Sequence, residues 1–192
     1  MIADLYVIRK RPDGQKGIFA TQFIPIGTID SFRCKKCKSY SKKELARMSK
    51  KQQAFIIARE VLEPKTGLYT KFCDKRMLYD NHSCDANVMS AHIIGHGLGG
   101  VGIVVRDIKK GEEATSDYRL NDGEEVHFEG GCTCGSRDCM KNTTFRPPAS
   151  KKLQAFWDRK INAALKRVPY VRQPLKKELL AEHPELAYLF KK

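Results

Sequence analysis

Long hydrophobic runs are missing from this chain of 192 residues. Residues 1–4 (MIAD) lead directly into alternating polar and apolar residues, with no apolar stretch of the length that a signal peptide or a membrane-spanning helix needs. We therefore expect no membrane partner and a cytoplasmic or nuclear location. A chain of this length can bury the core of one ordinary domain.

Acidic residues are scarce, with 22 Asp and Glu against 36 Lys and Arg and a formal net charge of +14. Basic residues dominate segments 33–51 and 146–192, whereas segment 112–129 holds seven acidic residues against Arg119. Each run could be a solvated face. Alternatively, the blocks divide function, with a basic tail that contacts DNA and an acidic rim that attracts a Lys/Arg-rich substrate.

A disulfide framework is not indicated, because the seven cysteines are an odd number. Metal-bound thiolates in a reducing compartment fit better. Residues 132–139 (CTCGSRDC) place three thiols in a short loop, and Cys84 could supply the fourth corner of a tetrahedron. We predict one structural Zn²⁺ ion held by Cys84, Cys132, Cys134 and Cys139.

The remaining cysteines and histidines form no complete set of ligands in the sequence. Cys34 and Cys37 could be half of a metal site, a redox pair or a coincidence of spacing, and we favour coincidence. No role is assigned to four histidines: His92, His96, His127 and His183.

Most of the chain has the pattern of short strands. Ser41 and Glu44 form a capping-box pattern, which predicts one helix from Ser41 to about Leu62. The glycine-rich residues 95–100 are predicted as a hairpin turn between two strands. Apolar residues after residue 148 recur at helical spacing, and a further helix, interrupted around Pro184, is expected over about residues 175–190. The predicted architecture is mainly β, with an inserted helix and a C-terminal α-helical extension.

Five motifs follow one another in a specific order. They are residues 17–20 (GIFA), 24–27 (IxxG), 81–87 (NHSCxxN), 108–118 (IxxGEExTxDY) and the cysteine pattern of residues 132–139. This succession, which covers about residues 5–140, resembles the SET-domain protein-lysine methyltransferases that carry a post-SET zinc loop.

The resemblance implies a β-clip, or SET-like, fold of small curved sheets. In that fold the C-terminal segment threads through a loop as a pseudoknot and brings the Asn-His block against the Asp-Tyr block. The implied SET domain spans residues 1–128, with its helical insert at about 41–62. The post-SET zinc loop would occupy residues 129–146, and a basic helical extension, residues 147–192, lies outside the resemblance.

The resemblance also implies the activity, which is methyl transfer from S-adenosylmethionine to a lysine amine of a basic, histone-like protein. Tyr118 would be the catalytic residue, with its phenol facing both the amine and the methyl donor. The implied cofactor-binding residues are Lys16, Gly17, Ile18, Phe19, Asn81, His82 and Tyr118. Ser116 and Asp117 would line the substrate channel.

Three positions depart from the family pattern. Ala86 stands where proline is usual, Asp80 stands where an apolar residue is usual, and Ser116 stands where an aromatic residue is usual. Because the aromatic residue narrows the lysine channel, Ser116 leaves the number of transferred methyl groups open. Two alternatives remain: a catalytically inactive SET-like protein that recognises lysine, and a zinc-stabilised nucleic-acid or chromatin-binding module.

Overall fold

The computed structural model describes residues 1–59, 61–63, 68–92, 100–121 and 125–192. The strands are β1 Tyr6–Lys10, β2 Lys16–Ala20, β3 Ile29–Phe32, β4 Lys38–Tyr40, β5 Val61–Glu63, β6 Leu68–Lys71, β7 Asn81–His82, β8 Val88–His92, β9 Gly100–Val104, β10 Glu113–Ser116, β11 Val126–His127 and β12 Thr144–Phe145. The α-helices are α1 Lys42–Ala46, α2 Lys50–Arg59, α3 Tyr118–Asn121, α4 Lys151–Leu165 and α5 Lys176–Glu182. Short 3₁₀ helices cover Lys75–Tyr79, Val168–Tyr170 and Pro184–Phe190. Within these described ranges, no helix is long and apolar enough to cross a membrane.

Strand β10 is the centre of the main sheet, whose strand order is β1-β2-β10-β8-β9-β3. Its first half pairs antiparallel with β2, so that Ala114 lies opposite Ile18. Its second half pairs in parallel with β7, so that Ser116 lies opposite His82. The sheet thereby joins three segments that are far apart in sequence, and these segments contain most of the predicted site residues.

The predicted helical insert differs from the observed one. Ser41 and Glu44 form the expected capping box, but α1 ends at Ala46, and a second start at Ser49 and Gln52 precedes α2. The S-x-x-Q pattern at Ser49 is itself a helix-start signal, which the sequence analysis missed. The prediction that the helix continues to about Leu62 is wrong, because β5 pairs with β6 in a small sheet of order β4-β6-β5. Ladder pairing there overrides local helix propensity.

The hairpin between β8 and β9 is antiparallel, as the two β-rich runs predict, with Met89 opposite Ile103. The predicted turn over residues 95–100 lies mostly outside the described residues, as does His96. Strand β9 continues the sheet to β3. Residues of β8 and β9 are among the most buried of the main core.

The C-terminal extension contributes to the core of the domain. Trp157 of α4, Leu179 of α5 and Leu186 belong to the same buried cluster as the central strands. Gln173 accepts a hydrogen bond from the Ile29 N–H group (2.9 Å) and donates one to the carbonyl oxygen of Gly27 (2.8 Å). Both predicted helical segments are present, the second divided at Pro184 into α5 and a 3₁₀ helix, and their apolar residues close one side of the sheet.

Candidate active site and cysteine clusters

Gly17 lies where three segments approach one another closely. A Cβ atom at this position would lie 2.2 Å from Glu113 Oε1 and 3.1 Å from Asn81 Nδ2. The Asn81 amide donates to the Lys16 carbonyl oxygen (2.9 Å) and to Glu113 Oε1 (2.7 Å). The absent side chain of Gly17 thus makes room for a network that connects β2, β7 and β10.

The predicted cofactor strand, Lys16–Phe19, has its side chains on different faces. Ile18 is buried in the main core, whereas Lys16 is exposed and its Nζ atom lies 5.4 Å from the centre of the Tyr79 ring. Alternation along a strand produces this division. A ligand at this strand would contact the backbone around Gly17 rather than the side chain of Ile18.

His82, Tyr118 and Phe128 form an aromatic group beside β10. The His82 ring centre lies 5.3 Å from that of Tyr118 and 4.7 Å from that of Phe128. The Tyr118 backbone N–H donates to His82 Nδ1 (3.2 Å), which leaves the proton on Nε2, 3.4 Å from Cys84 Sγ. Burial lowers the pKa of His82 to about 4, with the charge of Asp117 opposing this and that of Arg119 adding to it. The imidazole is therefore neutral at physiological pH.

Asp80 and Ser116, two of the departures from the family pattern, are hydrogen-bonded to each other. The Ser116 hydroxyl donates to Asp80 Oδ2 (2.6 Å), and the Tyr118 phenol donates to the Asp80 carbonyl oxygen. Burial raises the pKa of Asp80 to about 7; the Ser116 hydrogen bond opposes this rise, whereas the charges of Asp30 and Glu113 add to it. A polar pair that can change its charge near neutral pH thus lies next to Tyr118.

Asp117 is held inside the protein. Its carboxylate accepts hydrogen bonds from Arg119 at 2.8 and 2.6 Å and from Trp157 Nε1 at 2.9 Å. Arg119 also donates to the Cys84 carbonyl oxygen (3.3 Å). The expectation that Asp117 lines the substrate channel is therefore wrong for its side chain, which is fully buried and connects β10 to the C-terminal extension.

The four cysteines predicted to bind metal come together from two distant segments. The Sγ atoms of Cys84, Cys132, Cys134 and Cys139 all lie within 4.8 Å of one another. Cys84 and Cys132 Sγ are 3.8 Å apart, and the Cys84 N–H donates to Cys134 Sγ (3.4 Å). Four thiols at this separation fit a tetrahedral Zn²⁺ ion, which prefers thiolate ligands. The short ribbon of β11 and β12 closes the loop that carries three of them.

The other three cysteines converge as well. The Sγ atoms of Cys34, Cys37 and Cys73 also lie within 4.8 Å of one another. The sequence interpretation of Cys34 and Cys37 as a coincidence of spacing is therefore wrong, because Cys73 joins them in the folded chain.

A family model described as the SET domain matches residues 15–119, which is more than half of the chain. The chain belongs to the SET-domain family. It is also similar to the crystal structure of a putative histone methyltransferase of Plasmodium falciparum, with 22% sequence identity over 61% of this chain and 95% of that chain and a TM-score of 0.44. No curated protein matches the sequence. The family and the mainly β, SET-like fold indicated by the motifs are thus confirmed.

The site also contains residues that were not singled out from the sequence. Phe128 follows β11 and contacts His82, and no motif signalled this contact. Asn87 was visible in the NHSCxxN motif; its amide accepts from the Thr115 N–H (2.9 Å) and donates to the Glu113 carbonyl oxygen (2.8 Å). Asn87 therefore holds the strand on which the site is built.

Most of the acidic side chains that the structure describes in segment 112–129 have partners within the protein, and an acidic rim there stays a prediction. Glu112 accepts from Arg106 (2.6 Å), and Glu113 pairs with Asn81 as described. Glu125 forms an ion pair with Arg146, whereas Glu129 is exposed. Asp122 and Glu124 lie outside the described residues.

Replacing Asp80 with Asn should stabilise the SET domain in a pH-dependent way. Folding raises the pKa of the Asp80 carboxyl group to about 7. Below about pH 4 the group is protonated in both the folded and the unfolded protein and does not change the free energy of unfolding. Between about pH 4 and 7 it ionises only in the unfolded protein, and this destabilises the fold progressively. The gain in free energy of unfolding of Asp80→Asn should therefore increase over this range and stay constant above it. Denaturant unfolding at several pH values measures this gain, and the exposed Asp158→Asn is the matched surface control. A gain that is the same at every pH would contradict the proposed burial of this carboxyl group.

Replacing Trp157 with Phe should destabilise the fold by about 1–3 kcal/mol, because the buried Asp117 carboxylate loses a hydrogen-bond donor. Trp157 is the single tryptophan, so unfolding of the variant has to be followed by circular dichroism. Phe156→Leu, at the half-buried neighbouring position, controls for side-chain truncation. A loss no larger than that of the control would show that the contact contributes little.

Proposed function

We propose that this SET-domain protein is a protein-lysine methyltransferase that uses S-adenosylmethionine. The observation that carries the proposal is the meeting of Gly17, the Asn81-His82 pair and Tyr118 around strand β10. These are the positions where the family motifs place the methyl donor and the reacting amine. The two halves of strand β10 thus support the two parts of a transfer site.

The residues around Gly17 fit a bound cofactor. The close approach at Gly17 leaves backbone available there, and Asn81 holds Lys16 and Glu113 in place from the opposite side. We assign cofactor binding to Lys16, Gly17, Ile18 and Phe19 and to Asn81, His82 and Tyr118, with Ile18 contributing its backbone. When bound, S-adenosylmethionine supplies an electrophilic methyl group.

Tyr118 is assigned the role of orienting the reacting amine. A free lysine has a pKa of about 10.4, so only about one in 10³ is neutral at pH 7. A channel that removes water from the ammonium group lowers that pKa, and the protein then has mainly to align the amine. The Tyr118 phenol, directed by its hydrogen bond to the Asp80 carbonyl oxygen, is a polar group in the position to do this.

Zn²⁺ is assigned to Cys84, Cys132, Cys134 and Cys139 as a structural ion. It would connect the loop after β11 to the turn after His82, and Phe128 lies at the start of that loop. The ion would act on catalysis indirectly, because it would hold the aromatic group of His82, Tyr118 and Phe128 in place.

A basic, histone-like protein is the proposed substrate, and DNA is a proposed additional contact of the tail. The DNA contact is supported by exposed basic side chains of α4 and the residues that follow it. They are Lys151, Lys152, Arg159, Lys166, Arg167 and Arg172. Such a surface binds phosphate with a strong dependence on salt.

The activity is tested by incubating the metal-replete protein with labelled S-adenosylmethionine and a mixture of histones. Label on a lysine side chain, located by peptide mass spectrometry, is the expected result. Absence of transfer to every histone, together with intact cofactor binding, would favour the lysine-recognising protein without catalysis. Absence of cofactor binding would contradict the proposal as a whole.

Cofactor binding depends on Asn81 in this proposal. Asn81→Ala should weaken the affinity for S-adenosylmethionine about tenfold or more, because two hydrogen bonds that order the Gly17 strand are lost. Isothermal titration calorimetry measures the change, and Asn162→Ala, exposed on α4, is the control. If Asn81→Ala and the original protein bound S-adenosylmethionine with equal affinity, Asn81 would not be a cofactor-binding residue.

A further inference from the structure

All seven cysteines of the chain fall into two clusters, four in the group around Cys84 and three in a second group. In the second group, Cys34 Sγ lies 3.8 Å from Cys37 Sγ and 3.5 Å from Cys73 Sγ. No cysteine is left over to serve as an ordinary core residue. The second group therefore needs an explanation of its own.

The separations in the second group match those of thiolates on one zinc ion. Zn–S bonds of about 2.3 Å in a tetrahedron place neighbouring sulfur atoms about 3.8 Å apart. The Cys84 and Cys132 sulfur atoms of the first cluster have the same spacing of 3.8 Å. A disulfide would instead join one pair at about 2.05 Å and leave the third thiol aside. We propose that Cys34, Cys37 and Cys73 bind a second Zn²⁺ ion.

The backbone supports a binding site at this point. The Cys37 N–H donates to the Cys34 carbonyl oxygen (2.9 Å), which closes a tight turn and directs both thiols to one side. Cys37 directly precedes β4 and Cys73 follows β6, and these strands pair with Lys38 opposite Lys71. The register of this small sheet brings the third thiol to the turn. The sequence alone could not reveal it, because Cys73 is 36 positions beyond Cys37.

The location predicts what the ion does. Cys34 follows β3 of the main sheet, whereas Cys37 and Cys73 stand where the chain enters and leaves the helical insert with its small sheet. The ion would thus fasten the base of the insert to the main sheet. This inference rests on the cysteine geometry alone and holds whether or not the proposed methyl transfer is correct.

The second group of cysteines is open to solvent at Cys73. Cys34 and Cys37 are buried, but Cys73 is exposed, and within the described ranges no His, Cys, Asp or Glu completes the set within 4.8 Å. We therefore assign the fourth position to water or another small exchangeable ligand. Three thiolates with Zn²⁺ carry a net charge of −1, and the exposed Lys35 and Lys36 in the turn offset it.

Metal analysis of protein purified under reducing conditions tests the proposal directly. We expect two equivalents of zinc in the original chain and one in Cys73→Ser, which leaves two thiols in the second group. The Cys132→Ser/Cys139→Ser variant, which leaves two thiols in the first group, should also hold one equivalent. A variant with all three substitutions should hold none. One equivalent in the original chain, or two in Cys73→Ser, would overturn the proposal without any need for the variants to be active.

Two further measurements address the site itself. Cys132→Ser/Cys139→Ser loaded with Co²⁺ should show the visible absorption of a tetrahedral thiolate site at the second group, and added imidazole should shift it, because the fourth ligand is exchangeable. Alkylation of the exposed Cys73 by iodoacetamide should be slow in metal-loaded protein and at least about tenfold faster after chelation. Equal alkylation rates, or an intact mass that reveals a disulfide between Cys34 and Cys73 under reducing conditions, would contradict metal binding.

Discussion

Tyr118→Phe should lower kcat for methyl transfer about 10²–10³-fold, which corresponds to about 2.7–4 kcal/mol of the activation barrier. The phenylalanine ring can keep the contacts with His82 and Phe128, whose ring centres lie 5.3 and 6.3 Å from that of Tyr118. The substitution removes only the hydroxyl group, which donates a hydrogen bond to the Asp80 carbonyl oxygen. Turnover with labelled S-adenosylmethionine measures the loss.

The control separates loss of the phenol from loss of structure. Tyr170→Phe also removes a tyrosine hydroxyl group, but from a residue that is 63% exposed and has no role in the proposed site. It should leave kcat unchanged. Calorimetry should show that Tyr118→Phe still binds S-adenosylmethionine. The other six residues assigned to the cofactor are unchanged, and an interaction that the hydroxyl makes in the transition state contributes little to ground-state binding. A Tyr118→Phe variant with nearly full turnover would mean that another group orients the amine.

Cys139→Ser should abolish methyl transfer, with at least about a 100-fold loss, while the main sheet stays folded. Binding of structural zinc contributes on the order of 10 kcal/mol to the folding of the segment that it closes. Without the fourth thiolate, the loop after Gly131 should lose its order, and Phe128 should leave its position 4.7 Å from the His82 ring centre. Hydrogen exchange measured by mass spectrometry should show faster exchange in residues 132–140 and unchanged protection in β8 and β9.

Arg137→Ala is the matched control, because Arg137 lies in the same loop and is exposed. It should retain both activity and loop protection. Loop protection that survives in Cys139→Ser, or in the original protein after chelation, would contradict a structural role for the ion.

The helical insert and Asp117 show which features local sequence patterns can predict and which they cannot. The capping box at Ser41 was recognisable because its two hydrogen bonds lie within four consecutive residues. The change from helix to strand after Arg59 was not, because β5 depends on pairing with β6. Asp117 was placed in the substrate channel by analogy, whereas its partner Trp157 lies 40 positions away in sequence. Both errors concern contacts between distant segments.

The cofactor strand, the Asn-His pair and the Tyr118 position could be predicted because short motifs in a fixed order carry them. The contacts that support them could not be read from the motifs, although Asn87 is itself part of the NHSCxxN motif. The Asn87 side chain hydrogen-bonds to the backbone of β10, Phe128 packs on His82, and Ser116 hydrogen-bonds to Asp80. Each of these joins residues at least 28 positions apart in sequence, so that only the paired strands show the contact.

The sequence by itself determined the SET-domain family, the mainly β class and the four cysteines of the first cluster. These follow from local composition and from spacing within short segments. Tertiary structure alone decided that the C-terminal extension completes the core, that Cys73 joins Cys34 and Cys37, and that Asp80 lies in a setting that raises its pKa. Burial and the register of strand pairing are properties of the whole fold, and a single segment of sequence does not contain them.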